Sequence, residues 1–271
     1  MQMYTVSEPP MTAPTTDWNP ALYARFAGLR LKPALDLLLH VPALPEGDIV
    51  DLGCGNGPVG PLLRARYPDI RIIGVDNSPA MLAKARETGS YTTLTEADIA
   101  TWHPDTPPAL IYSNATLHWL PDHDRLLPAL ARMPAPGGTL AVQVPHQNNA
   151  PSHRLWHDLV EQNFPGRFDP ATAPGINDAR RTWDILDGLG DLSLWETEYM
   201  QRLDPADDGH PVRLFTSSTF ARPVLDVLDP DEQTLITTLY DQAMEAAYPR
   251  RADGSVLFPF RRLFFTLRRE P

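Results

Sequence analysis

Apolar and polar positions along this chain follow two periods, and the switch between them outlines the fold. Near the start the spacing is helical: Asp17 suits the N-cap of a segment carrying Pro20, Leu22, Tyr23 and Phe26. Pro33, with Leu35, Leu38 and Leu39 on one face, opens a second helix. From Ile49 onward, short apolar runs alternate with amphipathic stretches. The runs 49–52, 70–75, 92–97, 109–113 and 139–144 read as strands. Pro58–Tyr67 and a helix opened by Ser78-Pro79 connect the first three. This rhythm is that of βαβ units, and so of a parallel sheet with helices on both faces.

Beyond residue 144 the rhythm changes. Ser152–Asn163 and Thr182–Gly190 read as helices, and Ser193–Gln201 as a strand. Asp204–Tyr248 is mainly helical, and Val256–Arg268 is a last strand broken by Pro259. The expected organisation is a disordered tail over 1–16 followed by one domain over 17–271. That domain divides into an N-terminal helical flap (17–45), a ligand-binding core (46–150), and a helical cap with the last strands (151–271).

Two turns carry the chemistry. Strand one runs into Asp51-Leu52-Gly53-Cys54-Gly55-Asn56-Gly57, and strand two ends in Gly74-Val75-Asp76. Glycines let backbone approach a ligand, and an acid about twenty residues later takes ribose hydroxyls. A dinucleotide site reads G-x-G-x-x-G. Here the order is Asp-x-Gly-x-Gly-x-Gly, which resembles the loop of class I S-adenosylmethionine (SAM) methyltransferases. On that resemblance Gly53, Gly55 and Gly57 cradle the amino-acid tail, and Asp51 orients the loop and meets the ligand's ammonium. Asp76 binds the ribose and Asn77 lies beside the adenine. Asp98 takes the adenine amino group unless it serves only as a helix N-cap, and Ile99 packs near the ring. After strand four, Asn114 and Ala115 line the methionine portion, while His118 and Trp119 face the methyl group and the acceptor. The structural alternative for His118 is packing without substrate contact.

Charge and composition narrow the partners. The 271 residues carry a formal net charge of −11. That argues against nucleic acid, which calls for a basic face. No apolar run approaches the length of a membrane span, no secretory signal is legible at the start, and the single cysteine suits a reducing compartment. A cytoplasmic location is expected. Cys54 lacks a neighbouring base and reads as structural. His153, His157 and Glu161 share a helical face, but the apolar residues around them point to an amphipathic helix, so no metal is expected.

The resemblance extends beyond the glycine loop. Asp17-Trp18-Asn19-Pro20, Asp76-Asn77-Ser78-Pro79, Glu96-Ala97-Asp98-Ile99, Asn114 to His123, and Phe258-Pro259-Phe260-Arg261-Arg262 together resemble the trans-aconitate 2-methyltransferase family. The resemblance implies a Rossmann-like seven-stranded sheet with a helical flap and cap, SAM as cofactor, and O-methylation of a small polycarboxylic acid. Guanidinium groups would hold the acceptor's other carboxylates. The candidates are Arg222 and Arg261, with Arg25, Arg30 and Arg262 behind them. Arg261 and Arg262 are adjacent on a strand, so at most one faces the pocket. The chain departs from the family pattern at Asn56-Gly57-Pro58-Val59-Gly60, at Thr182-Trp183, and at Phe220, which stands where a glycine is usual. These changes leave room for another small-molecule acceptor, a non-methylating activity, or SAM binding without turnover.

Overall fold

A computed structural model describes residues 31–169, 175–217 and 220–271. The segment from Asp17 to Arg30, with the Trp18-Asn19-Pro20 motif, Arg25 and Arg30, lies outside the described residues.

The strands are β1 (Ile49–Leu52), β2 (Ile72–Asp76), β3 (Thr93–Glu96), β4 (Leu110–Asn114), β5 (Thr139–Pro145), β6 (Asp191–Leu203) and β7 (Val256–Arg268). They form one seven-stranded sheet in the order β3-β2-β1-β4-β5-β7-β6, with β7 antiparallel to both neighbours. The pairs β1–β2, β1–β4, β2–β3 and β4–β5 are parallel. The chain order reverses between β1 and β4. In an open α/β sheet, the crevice beyond the carboxyl ends of those two strands is where a ligand sits.

Period-two alternation sorts the β1 side chains onto two faces. Val50 and Leu52 join Val75, Ile111, Val142 and Val144 under α4 (His123–Ala131) and α6 (Ala179–Leu186). Ile49 joins Leu110, Tyr112, Ala141 and Phe264 under α1 (Lys32–Leu39) and α2 (Gly60–Arg66). Asp51 shares that second face. It is a carboxyl inserted into an otherwise apolar layer. The third helix of this half, α3 (Pro79–Glu87), starts at Ser78, whose hydroxyl accepts the Met81 N–H.

The cap has its own core. Helices α5 (Pro151–Asn163), α7 (Pro211–Ser217), α8 (Arg222–Leu225) and α9 (Pro230–Ala247) enclose Trp156, Phe220, Ile236, Tyr240 and Met244. They close over Phe258 and Phe260 of β7. The Trp156 and Tyr240 rings stack 3.8 Å apart. Trp156 Nε1 donates to Thr216 Oγ1, and Tyr240 Oη donates to Ser152 O. Stacking and satisfied polar tips together fix α5 against α9.

Two sequence expectations are revised. Pro259 does not break the last strand. Pairing with β5 ends at Arg262, while pairing with β6 continues to Val256. The ring nitrogen of Pro259 faces the side that β5 has left, where no ladder bond is required of it. Gln147 replaces the missing strand there: its Nε2 donates to Pro259 O at 2.7 Å, and its Oε1 accepts the Arg261 N–H at 2.9 Å. Helix α4 was not among the elements read from the sequence, and Pro128 lies inside it. It forms around Pro128 since Leu127, Leu130 and Ala131 are fully buried against the sheet.

Candidate active site

The crevice at the β1/β4 reversal opens into a cavity of about 1020 Å³ that runs from the glycine loop to the cap. Its two ends differ in chemistry.

At the sheet end, the turn after β1 is held by backbone: the Gly53 and Cys54 N–H groups both donate to Val75 O. Gly53 has φ +77°, and a Cβ there would overlap the Thr116 side chain. Gly55 has φ +54° and nothing within 4 Å of a Cβ position, so its bare backbone faces the cavity. Asp76 accepts the Gly55 N–H on Oδ2 at 2.8 Å and the Ser78 N–H on Oδ1 at 3.0 Å. Its carboxylate therefore ties the loop to the start of α3, and each oxygen keeps acceptor capacity for a ligand. Asn77, Asp98 and Ile99 line the same end. Asp98 Oδ1 accepts the Ala100 N–H, so it performs the turn-capping role while also facing the cavity. After β4, Asn114 presents a buried Oδ1 with no hydrogen-bond donor. Ala115 holds φ +54°, a conformation that costs a non-glycine residue on the order of 1 kcal/mol. Strain of this kind, at a cavity wall, belongs to a backbone set for a ligand.

Of the ten residues expected at the cofactor, eight line this cavity. Gly57 does not; its Cβ position lies 3.0 Å from Ala85 Cα, so it seats the loop on α3. Asp51 does not either. It is 1 % exposed and lies behind the loop, accepting the Tyr91 hydroxyl at 2.6 Å. Burial pushes its pKa up to about 7; the Tyr91 hydrogen bond opposes that rise and the charge of Asp76 adds to it. Cys54 lines the cavity, but burial and the carboxyls of Asp51 and Asp76 hold its thiol firmly protonated.

At the cap end, His118, His153 and Arg262 meet around aromatic walls. His118 follows β4 on a short 3₁₀ turn (Leu117–Trp119), and its Nδ1 is buried with no partner. His153, on the first turn of α5, has Nδ1 2.9 Å from Ser152 Oγ and its ring 4.3 Å from that of Phe220. Burial, joined by the positive charge of Arg262, drops both imidazoles to pKa values of about 3. Both are neutral at any ordinary pH. Arg262 is 8 % exposed, with its guanidinium 4.3 Å over the Phe260 ring. Phe215, Phe220 and Trp119 complete the wall.

The remaining predicted residues lie elsewhere. The Arg222 side chain is 76 % exposed on α8, 3.8 Å from Asp226. The Arg261 side chain is half exposed and faces Glu198 at 3.7 Å. Thr182 is buried and donates to Asn177 O, and Trp183 is exposed; neither lines the cavity. His157 packs on Phe168 and Phe220, while Glu161 accepts the Gly166 N–H. Arg262 stands behind Arg222 and Arg261 among the sequence candidates, and His153 reads there only as part of an amphipathic helix, though a signal existed for each. Val256, Phe258 and Phe260 mark the buried face of β7, and Arg262 is the next residue in that phase. His153 and Trp156 share the buried face of α5.

Comparison with known proteins gives the family. Residues 49–138, the strands and loops of the sheet end, match the methyltransferase domain family. A trans-aconitate 2-methyltransferase from Methylobacterium nodulans is 42 % identical over 259 residues, covering 93 % of this chain and 98 % of that protein. One from Escherichia coli is 40 % identical over 257 residues, with 94 % and 99 % covered. This chain belongs to the trans-aconitate 2-methyltransferase family. Solved structures share the fold at low identity. A putative methyltransferase from Bacillus halodurans has a TM-score of 0.54 at 12 % identity, covering 88 % of this chain and 98 % of that one. Phosphoethanolamine N-methyltransferase 2 from Haemonchus contortus, bound to phosphomonomethylethanolamine and S-adenosylhomocysteine, has a TM-score of 0.53 at 16 % identity, covering 92 % of this chain and 56 % of that one.

As a member of this family the protein is a SAM-dependent methyltransferase, and the sheet end of the cavity fits that cofactor. The open backbone at Gly55 leaves room for the amino-acid tail, and the orphaned Asn114 Oδ1 offers an acceptor for a donor group. Asp76 keeps lone pairs for hydroxyls. Among the described residues, no helix is long and apolar enough to cross a membrane.

Proposed function

We propose that this protein, acting in the cytoplasm, methylates a carboxylate of trans-aconitate or a closely similar small polycarboxylic acid to give a monomethyl ester. The observation that carries this reading is Arg262, a buried guanidinium on the wall of the cavity's cap end. A planar fork of that kind suits a carboxylate the reaction leaves untouched.

SAM supplies the methyl group, already activated by its sulfonium charge. A carboxylate is already the nucleophile at neutral pH, so no general base is required. The neutral imidazoles of His118 and His153 suit this. They donate hydrogen bonds to acceptor oxygens without competing for a proton. The aromatic walls exclude water, and the arginine fixes which carboxylate points toward the sheet end, so orientation is the chain's main contribution. Gly53, Gly55, Asp76, Asn77, Asp98, Ile99, Asn114 and Ala115 hold the cofactor in this reading, with Asp51 and Gly57 shaping the loop from behind.

One observation favours a second acceptor class. Among the described residues Phe215, Phe220, Phe260 and Trp119 share the cap end with one arginine, Arg262, which also suits a monocarboxylate with an apolar body. Purified protein, SAM and a panel of tri-, di- and monocarboxylates, with methyl esters read by mass spectrometry, decide between the two. Ester from trans-aconitate at micromolar concentrations supports the first reading. Ester only from apolar monocarboxylates replaces it with the second.

A further inference from the structure

We propose that Tyr91 is a positioning residue for the cofactor loop: its ring fills a space walled by Gly57, Gly60 and Gly74, and its hydroxyl holds the Asp51 carboxyl behind the loop. The glycines make the case. A Cβ at Gly60 would lie 2.7 Å from Tyr91 Cε2 and Cζ and 2.8 Å from its hydroxyl. One at Gly74 would lie 3.0 Å from Tyr91 Cδ1, as well as 2.7 Å from Leu94 Cδ2 and 3.0 Å from Cys54 Sγ; one at Gly57 would lie 3.1 Å from Tyr91 Cε2. Of the three, only Gly57 has the positive φ that itself selects glycine. Gly60 opens helix α2 and Gly74 sits inside strand β2, places where glycine is disfavoured. Space for the Tyr91 ring accounts for Gly60, and at Gly74 the ring shares that role with Leu94 and Cys54. Tyr91 thus clamps the loop, helix α2 and strand β2 together from the side opposite the cavity.

The hydroxyl adds a charge function. Among the described residues the groups facing Asp51 are Tyr91, Asp76, Cys54 and Tyr112, and none of them is a cation. The ionised carboxyl is therefore sustained by the Tyr91 hydrogen bond alone of these four. A cationic ligand seated on the loop favours that ionised form, so SAM binding and Asp51 ionisation are linked.

The inference rests on the loop being the seat of SAM, and calorimetric titration with SAM from pH 6 to 8.5 tests it without any acceptor. Wild-type affinity should fall as the pH drops below about 7. Tyr91→Phe keeps the ring and loses the hydroxyl. Its affinity should be about ten-fold weaker at pH 7 and recover toward wild type by pH 8.5, its midpoint shifted upward. Equal weakening at every pH, or none, overturns the proposal. A cycle with Gly60→Ala tests the ring: alone it should weaken SAM binding about ten-fold, and on Tyr91→Ala it should weaken it no further. Additive effects in variants that keep a cooperative thermal transition overturn the packing half. Wild-type protein that fails to bind SAM removes the assignment of the loop as well, whereas binding with a flat Tyr91→Phe difference removes this inference only.

Discussion

Asp76 and Arg262 define the two ends of the cavity, and each has a neighbour that serves as its control. Asp76→Ala removes the acceptors of the Gly55 and Ser78 N–H groups along with any ligand hydroxyl contact. S-adenosylhomocysteine affinity measured by calorimetry should fall at least about ten-fold, since charge-assisted hydrogen bonds each contribute about 1.5–3 kcal/mol. Unchanged affinity would mean that the carboxylate only staples the loop. At the cap end, Arg262→Ala should raise the acceptor KM about 10- to 100-fold while sparing cofactor affinity, and Arg261→Ala should leave both within about two-fold. Steady-state kinetics on the two variants settle which arginine the acceptor meets. Equal effects would be incompatible with the strand phase that buries one guanidinium and leaves the other facing Glu198.

At the scale of elements, the part of β7 beyond the end of β5 depends on one side chain. Gln147→Leu would leave the Pro259 carbonyl and the Arg261 N–H without partners on that edge. Urea unfolding should show a loss of about 1–3 kcal/mol. The acceptor KM should also rise, because Arg262 follows directly in the chain. The sequence conveyed most of the sheet. Strands β1 and β4, buried along nearly their whole length, read as continuous apolar runs, and the acid-then-glycine turn marked where the order reverses. Reading failed where a tertiary contact overrides a local signal. Pro259 is a breaker until Gln147, 112 positions earlier, covers the strand edge. Pro128 is a breaker until the leucines beside it are buried. Arg222 was a candidate through the family resemblance of the cap, yet its side chain turns outward on α8. No periodicity marks Asp51 as facing Tyr91 rather than ligand, since a pairing 40 residues apart is set by the packing of β1 against the loop before β3.

For the molecule as a whole, buried groups shape the response to acid: His118, His153 and Asp51 carry the largest shifts, and burial lowers the pKa values of His157 and His210 as well. His118 and His153 have native pKa values of about 3, against 6.5 in an unfolded chain. Between those values the unfolded state takes up protons that the native state refuses, so stability falls as the pH falls below about 6.5. Asp51 acts in the opposite sense. Its native pKa of about 7 lies above the ordinary 3.8, so between those values the native state binds the extra proton and gains stability on acidification. Two histidines outweigh one carboxyl, which leaves a net loss of up to about 1.4 kcal/mol per pH unit from about 6.5 down to about 4. Thermal unfolding at pH 7, 6, 5 and 4 should show that decline, and a His118→Gln, His153→Gln double variant should flatten it. A native Tm that holds constant down to pH 4 would contradict the burial of both imidazoles.

The change of neighbours along β7 also bears on how such proteins diverge. The strand's second half is fixed between β5 and β6 within the sheet, while its first half is fixed only to β6 and roofed by the cap. Arg262 stands at the border, anchored in the twice-paired half and surrounded by the capped one. Cap residues such as Phe220 can be exchanged over generations without relocating the guanidinium or disturbing the cofactor loop. New acceptors are therefore open to inheritance by small steps, each tried against a fixed charge and a fixed methyl donor.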